Sequence, residues 1–319
     1  MHEFELIKKF FLKLSNYNKN ALDLNDDIFF DKSKKLAISV DTYIEGTHFL
    51  NFDYPDLVIK KILRSSISDL ICKGVIPKFY FISGSGDKKS FSAKNLKKIS
   101  KSLSQEQKKY SIYLSGGDTT YSKKLSFTIT VIGYSNRIIY RNKAKIHDDI
   151  YVTGNLGDSF IGLMILKKKI NLNNKLSSYF KKSFFFPKLH INFTKKLLSF
   201  ANTSIDISDG LIADLEKLIN KQKVSYKIFL NDVPVSKNLK ELIRSKKISK
   251  RSCISQGDDY QILFTAPKSK SGIIRKTCNS LGIKISKIGK ICSPSLKSQI
   301  INEKNIKITL KNKGYFHKF

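Results

Sequence analysis

Cysteine is scarce in this chain and poorly placed for chemistry: Cys72, Cys253, Cys278 and Cys292 form no CxxC pair and mostly stand far apart. Such spacing suggests neither a zinc site nor a disulfide framework, and a reducing cytoplasm fits it best. Long apolar runs are missing too, since none approaches the roughly 18 residues that a membrane span needs. The opening MHEFELIKKF carries early acids and lacks the apolar core of a signal peptide. A cytoplasmic protein without a membrane segment is expected.

Acidic residues are the other shortage. Against 59 Lys and Arg stand only 26 Asp and Glu, for a formal net charge of +33. This balance attracts any polyanion, from nucleotides to nucleic acid or an acidic membrane surface, and by itself names no partner. A nucleic-acid binder usually gathers its basic residues on one face or tail among aromatics, whereas here Lys recurs in every segment, mixed with Asn and Ile. The charge therefore reads as solvated surface, which argues against a nucleic-acid partner. An apolar share of 41% with 27% charged residues belongs to a chain that folds.

With 319 residues, two domains of about 150 residues each are expected. Phe4, Ile7, Phe11 and Leu14 fall at spacings of three and four, predicting an opening amphipathic helix whose stripe packs in the core. LAISV, IPKFYFIS, SIYLS and LSFTITVIGY are short, apolar and β-branched enough for strands. Helices are predicted between them, from about Leu57 to Lys73 after Pro55 and over Ser92 to Lys109. After the basic, irregular RNKAKIHDD the pattern restarts with DIYVT, the turn GNLGDS and the helix-like FIGLMILKKK. The boundary is placed near Ile146, giving domains 1–146 and 147–319. In the second half SIDIS, SYKIFL, YQILFTA and a segment near KISKIG read as strands, and DGLIADLEKLIN as a helix. Strands alternate with helices in both halves, so the fold class is mixed α/β.

In so basic a chain the aspartates that collect at strand ends and beside glycine carry information. They are Asp26 and Asp27 in LNDDIFF, Asp41 in SVDTYIEGTHF, Asp69 in SISDLICKG, Asp118 in SGGDTT, Asp206 and Asp209 in IDISDG, and Asp258 and Asp259 in QGDDYQILF. Any one of them reads equally as a turn or a helix cap; Asp209 or Ser208, for example, precedes a helical run whose first N–H groups need acceptors. As a set they point elsewhere. Asp206 and Ser208 lie two apart on one side of a strand with Asp209 at its exit, and carboxylates crowded there repel one another unless a cation intervenes. The expected arrangement is a shared magnesium cage of hard oxygen ligands bridging nucleotide phosphates, because no Cys or His pair stands at zinc-ligand spacing. The two glycines of SGGDTT allow a backbone turn to approach a bulky anion. GSGDKKS, residues 84–90, lacks the Gly-Lys step of a phosphate loop and is read as a surface loop. His48 in EGTHF serves either a phosphate contact or a structural hydrogen bond.

Taken in order, DTYIEGTHF, SDLICKGVIP, GGDTT, YVTGNLGDS, IDISDGLIADL, QGDDYQILFT and the terminal KGYFHKF resemble the thiamine-monophosphate kinases of the AIR synthase-related superfamily, along nearly the whole chain. The resemblance implies a two-domain fold whose N-terminal domain pairs across a homodimer. It also implies ATP-dependent phosphorylation of thiamine monophosphate with several magnesium ions. By matching positions, the metal ligands it implies are Asp27, Ser39, Val40 through its carbonyl, Asp41, Asp69, Asp118, Asp206 and Asp209. ATP would meet Gly117, Asp118, Arg141 and Ser208, and thiamine phosphate would meet His48, Asp258 and the ring of Tyr315. The attacking group is then a phosphate oxygen that is already anionic, so no general base is required, and metals with Arg141 offset the repulsion between two polyanions.

The chain departs from the family pattern at Asn25, where a glycine is usual, at Asp258 and Gln261, where GEDYE is usual, and at the terminal GYFHKF in place of GYDHF. Two rivals follow. One is another ATP-dependent enzyme of the superfamily acting on a different substrate; the other is a non-catalytic basic protein that binds nucleotide or nucleic acid.

Overall fold

The computed structural model describes residues 3–16, 18–245, 248–310 and 312–315. The terminal FHKF, part of the motif above, and the Phe4 side chain lie outside this description.

A five-stranded sheet occupies the first half. It is built from β1 (Phe29–Asp31), β2 (Leu36–Ile44), β3 (Ile76–Gly86), β4 (Tyr113–Tyr121) and β5 (Ser126–Tyr134), in the order β1-β2-β5-β3-β4. β2 and β3 each run antiparallel to β5, and β3 runs parallel to β4. The alternation in β5 explains its place: Phe127, Ile129 and Val131 point to the buried face, while Thr128 and Thr130 take the other.

A seven-stranded sheet occupies the second half. Its strands are β6 (Asp149–Thr153), β7 (Thr203–Asp206), β8 (Ser225–Phe229), β9 (Ile262–Ala266), β10 (Ile285–Cys292), β11 (Gln299–Ile301) and β12 (Lys307–Ile308), in the order β12-β11-β8-β10-β6-β9-β7. β6, β7 and β9 are buried along their whole length, without an alternating exposed face. The mixed α/β class is thus observed. Among the described residues no helix is long and apolar enough to cross a membrane, and the four cysteines are free and buried.

The opening residues depart from expectation. Only α1 (Glu3–Leu6) is α-helical; residues 7–11 widen to a π-helical turn and 12–15 tighten to a 3₁₀ turn. Phe11 and Leu14 are exposed, Leu14 at 72%. The changed winding breaks the i, i+4, i+7 register on which the predicted core stripe depended.

α2 (Pro55–Cys72) organises the site. Pro55 starts it, where a missing N–H costs nothing, and Gly74 ends it with φ of +82°. Fourteen of its eighteen residues are buried, because it packs on β2, β3 and β5 on one side and touches β7 of the second sheet on another. A helix so enclosed ought to be apolar all round, yet this one buries Lys61, Arg64, Ser65, Ser66 and Ser68. Each of these needs a partner inside the protein. Arg64 finds its own in α3 (Ala93–Tyr110), where Glu106 accepts two hydrogen bonds at 2.7 and 2.8 Å.

α4 (Asp158–Leu166), α5 (Asn174–Phe185), α6 (Ile191–Leu197) and α7 (Leu211–Leu218) follow in the second half. The largest apolar cluster includes residues from both halves, among them Ile62, Ile129, Phe193 and Phe264.

Candidate active site

Four carboxylates from four separate segments meet where α2 passes between the sheets. Ser39 of β2 donates to Asp69 of α2 at 2.5 Å, and Ser68 of α2 donates to Asp206 at the end of β7 at 2.7 Å. Tyr43 donates to Asp41 at 3.0 Å and stands 2.9 Å from the Ser66 hydroxyl. Asp27 completes the group from the loop before β1.

Their electrostatics show that they feel one another. Burial pushes Asp69 well above the usual carboxylate range, and the charges of Asp41, Asp206 and Asp27 add to the effect. Burial and the charge of Asp27 raise Asp206 to about 8. Asp41 is raised chiefly by burial. Asp27 goes the other way: burial opposes ionisation, but Arg141 and Lys73 together hold it at about 2. Three buried acids raised above their ordinary value beside one held below it stand to gain from a cation, which favours every carboxylate's charged form. Among the described residues no three acid, His or Cys side chains already stand close enough to grip one ion.

Basic side chains fill part of that gap. The Arg141 guanidinium pairs with Asp27, and its backbone N–H donates to Asp26 at 3.2 Å. Lys73, fully buried, lies 2.7 Å from Asp26 and 3.8 Å from Asp27. Lys217 of α7 pairs with Asp209 and lies 3.2 Å from Asp214.

The loop after β7 is held from within α7. Neither Ser208 nor Asp209 caps α7; Asp214, one turn in, reaches back to accept from the N–H groups of Asp209 and Gly210 at 2.9 and 3.0 Å. The N–H of Asp258 donates to the Ser208 carbonyl at 2.8 Å, and that of Tyr315 to the Asp209 carbonyl at 3.0 Å. Ser208, Asp209, Asp258 and Tyr315 are therefore neighbours although 107 positions separate the first from the last (315 − 208). His48 accepts from the Ile44 N–H through Nδ1 at 3.0 Å and packs edge-on against Tyr43, beside Asp41.

SGGDTT is not a turn. It lies inside β4, paired with β3, with Asp118 opposite Ser83. Gly117 is required there because a Cβ would stand 1.9 Å from the Ile82 carbonyl oxygen. The glycine serves a close approach of two strands. Likewise Gly84, Ser85 and Gly86, read as part of a surface loop, are the end of β3. Asp118 is exposed on the sheet edge, and among the described residues no hydrogen bond or ion pair joins it to the buried carboxylates. Val40 is exposed in β2, opposite Thr130.

Gln261, one of the departures from the family pattern, faces the interior. It accepts from Thr153 at 3.0 Å and lies 3.0 Å from His190 Nε2. Its uncharged amide satisfies buried neighbours. Asp258 keeps an ionic environment through Lys61, 2.6 Å away. Lys61, Lys73, Lys217 and Asp214 were not singled out from the sequence, since Lys is too common in this chain for a single one to stand out.

Comparison with known proteins identifies the family. A family profile described as AIR synthase related protein, N-terminal domain, matches residues 24–135. Thiamine-monophosphate kinase of Buchnera aphidicola subsp. Schizaphis graminum (strain Sg) is 35% identical over 323 aligned positions, covering 99% of this chain and 98% of that protein. The chain belongs to the thiamine-monophosphate kinase family. The Escherichia coli (strain K12) thiamine-monophosphate kinase is 31% identical over 99% of this chain and 98% of its own length. The solved structure of AaThiL complexed with AMPPCP and TMP superposes with a TM-score of 0.85 at 25% identity, covering 99% of this chain and 97% of that one.

Proposed function

We propose that this chain transfers the γ-phosphoryl group of ATP directly, in line, to thiamine monophosphate, giving thiamine diphosphate. The observation that carries the reading is the convergence of Asp27, Asp41, Asp69 and Asp206 on one buried centre in a chain of this family. The name of the family and the nucleotide analogue and TMP held by AaThiL supply the substrates.

The donor set fits magnesium. Asp27, Ser39, the Val40 carbonyl, Asp41, Asp69, Asp118, Asp206 and Asp209 offer only hard oxygen atoms, and the Asp27 Oδ2 atom is buried without a hydrogen bond. Bound magnesium would neutralise charge on two facing phosphates and polarise the one transferred. The protein's share is positioning. Gly117, Asp118, Arg141 and Ser208 are assigned to ATP, and His48, Asp258 and the Tyr315 ring to thiamine monophosphate, whose ring carries a positive charge suited to a carboxylate and an aromatic face. Arg141 needs only to exchange Asp27 for a phosphate oxygen, and it stays charged throughout. No residue is required to remove a proton.

The two sheets are read as two domains dividing near residue 146, and the assembly as a homodimer. β4 supports the latter, because all nine of its residues are exposed and Tyr121 is 73% accessible. A long bare edge of this kind is normally covered by another chain. A cytoplasmic location agrees with four free thiols.

The test is chromatography of thiamine diphosphate formed from ATP, magnesium and thiamine monophosphate, with EDTA and Asp118→Asn as controls. Product lost in both controls supports the reading; magnesium-dependent nucleotide binding without product overturns the choice of substrate.

A further inference from the structure

Lys73 is the residue at the acid centre whose burial is hardest to explain by packing. It follows the last turn of α2, and its side chain is 0% exposed. Burying an ammonium is costly unless its hydrogens are met and its charge is opposed. Its charge is opposed, and two oxygens stand within hydrogen-bond distance of it. Asp26 Oδ1 lies at 2.7 Å, the Ser204 carbonyl of β7 accepts at 2.9 Å, and Asp27 Oδ2 stands at 3.8 Å. The remaining capacity of Asp26 is taken by protein N–H groups, that of Asp27 at 2.9 Å on Oδ1 and that of Arg141 at 3.2 Å on Oδ2. Both Asp26 oxygens are thus already engaged by the protein. Asp27 differs: its Oδ1 pairs with Arg141, and its Oδ2 accepts no hydrogen bond.

We propose that Lys73 is a resident cation of the acid centre, a fixed ammonium that occupies the place a further divalent ion would take on the Asp26–Asp27 pair. It withdraws Asp26 from metal binding and presents Asp27 Oδ2 as the free ligand. This rests on the reading of the centre as a magnesium site. Two consequences follow from Coulomb's law at these distances. Without Lys73 the paired carboxylates repel each other and the metal-free protein loses stability. A divalent ion then gains a site with one more negative charge, so the metal binds more tightly or in greater number.

Lys73→Met keeps the length of the side chain and removes the charge. Binding of Mn2+ alone, followed by electron paramagnetic resonance, and thermal melting with and without Mg2+ test the proposal. Lys73→Met is expected to melt lower than the parent in EDTA, to recover most of that loss in saturating Mg2+, and to bind Mn2+ about tenfold more tightly or take up one additional ion. Equal loss of stability with and without Mg2+, together with an unchanged Mn2+ isotherm, overturns the proposal and leaves Lys73 as packing. Absence of Mn2+ binding by the parent protein overturns the magnesium reading itself, which separates the two failures. Should Lys73→Met fail to fold, Asp26→Asn serves in its place. It leaves the ammonium to Asp27 alone and is expected to weaken Mn2+ binding about tenfold; unchanged or tighter binding contradicts the role of Lys73.

Discussion

The Lys61 ammonium lies 2.6 Å from the Asp258 carboxylate and 3.7 Å from the centre of the Phe184 ring, on a side chain only 2% exposed. Tyr260 OH adds a hydrogen bond to the same carboxylate at 3.2 Å. Asp258 is thus held from two sides, with φ of +68° in its own backbone. Lys61→Met is expected to raise KM for thiamine monophosphate about tenfold or more with a smaller effect on kcat, since an unanchored ligand costs binding first. Steady-state kinetics at saturating ATP check this, and an unchanged KM would remove Asp258 or its anchor from the substrate site.

Much of this arrangement was legible beforehand, and the reasons differ by element. α2 announced itself by Pro55 at its start, and β5 by the apolar, β-branched run LSFTITVIGY. Asp69 and Asp206 stood out because acid is rare in this chain. The partners of those acids did not. Lys61 and Lys73 look like any other lysine until α2 is enclosed by two sheets, a tertiary fact with no local signature. SGGDTT misled because two glycines usually mark a turn, whereas here the absent Cβ of Gly117 admits the Ile82 carbonyl of the adjacent strand. The opening helix failed because its winding changes to π and then 3₁₀ after Leu6, which breaks the register of its stripe.

Gly117→Ala therefore tests sheet packing and site together. A methyl group placed 1.9 Å from a backbone oxygen forces β4 away from β3, and Asp118 moves with it. A lower melting temperature, by at least several degrees, is expected together with a severe loss of turnover. Circular dichroism melting alongside the product assay measures both.

The Arg64–Glu106 pair bears on stability alone. Both side chains are at most 7% exposed, and a third hydrogen bond runs from Arg64 to the Pro187 carbonyl at 3.2 Å. Arg64→Met strands a buried carboxylate and is expected to cost about 3–5 kcal/mol in urea unfolding. Adding Glu106→Leu removes the stranded charge and should restore most of the loss; a double variant no better than the single contradicts the assignment.

His190 gives a pH signature of its own. Burial holds its imidazole below the ordinary histidine value, with the Gln261 amide as partner. The unfolded chain then binds a proton more readily than the native one, so this residue's stabilising share is complete above the unfolded value near 6.5 and declines as pH falls toward the lower native value. The difference in melting temperature between the parent and His190→Gln is expected to shrink from pH 7.5 to about 5.5. A difference that stays constant would mean His190 does not titrate differently on folding.

Whether the phosphoryl group passes directly between the substrates within the carboxylate centre is settled most directly by a single turnover. Enzyme in excess over γ-labelled ATP is mixed with thiamine monophosphate and Mg2+, quenched at intervals, and compared with Asp69→Asn. Label that moves from ATP into thiamine diphosphate in one phase, with none on the protein, and that fails to move in Asp69→Asn or in EDTA, is the predicted result. Label appearing first on the protein or as free phosphate, or an Asp69→Asn enzyme as fast as its parent, contradicts the account.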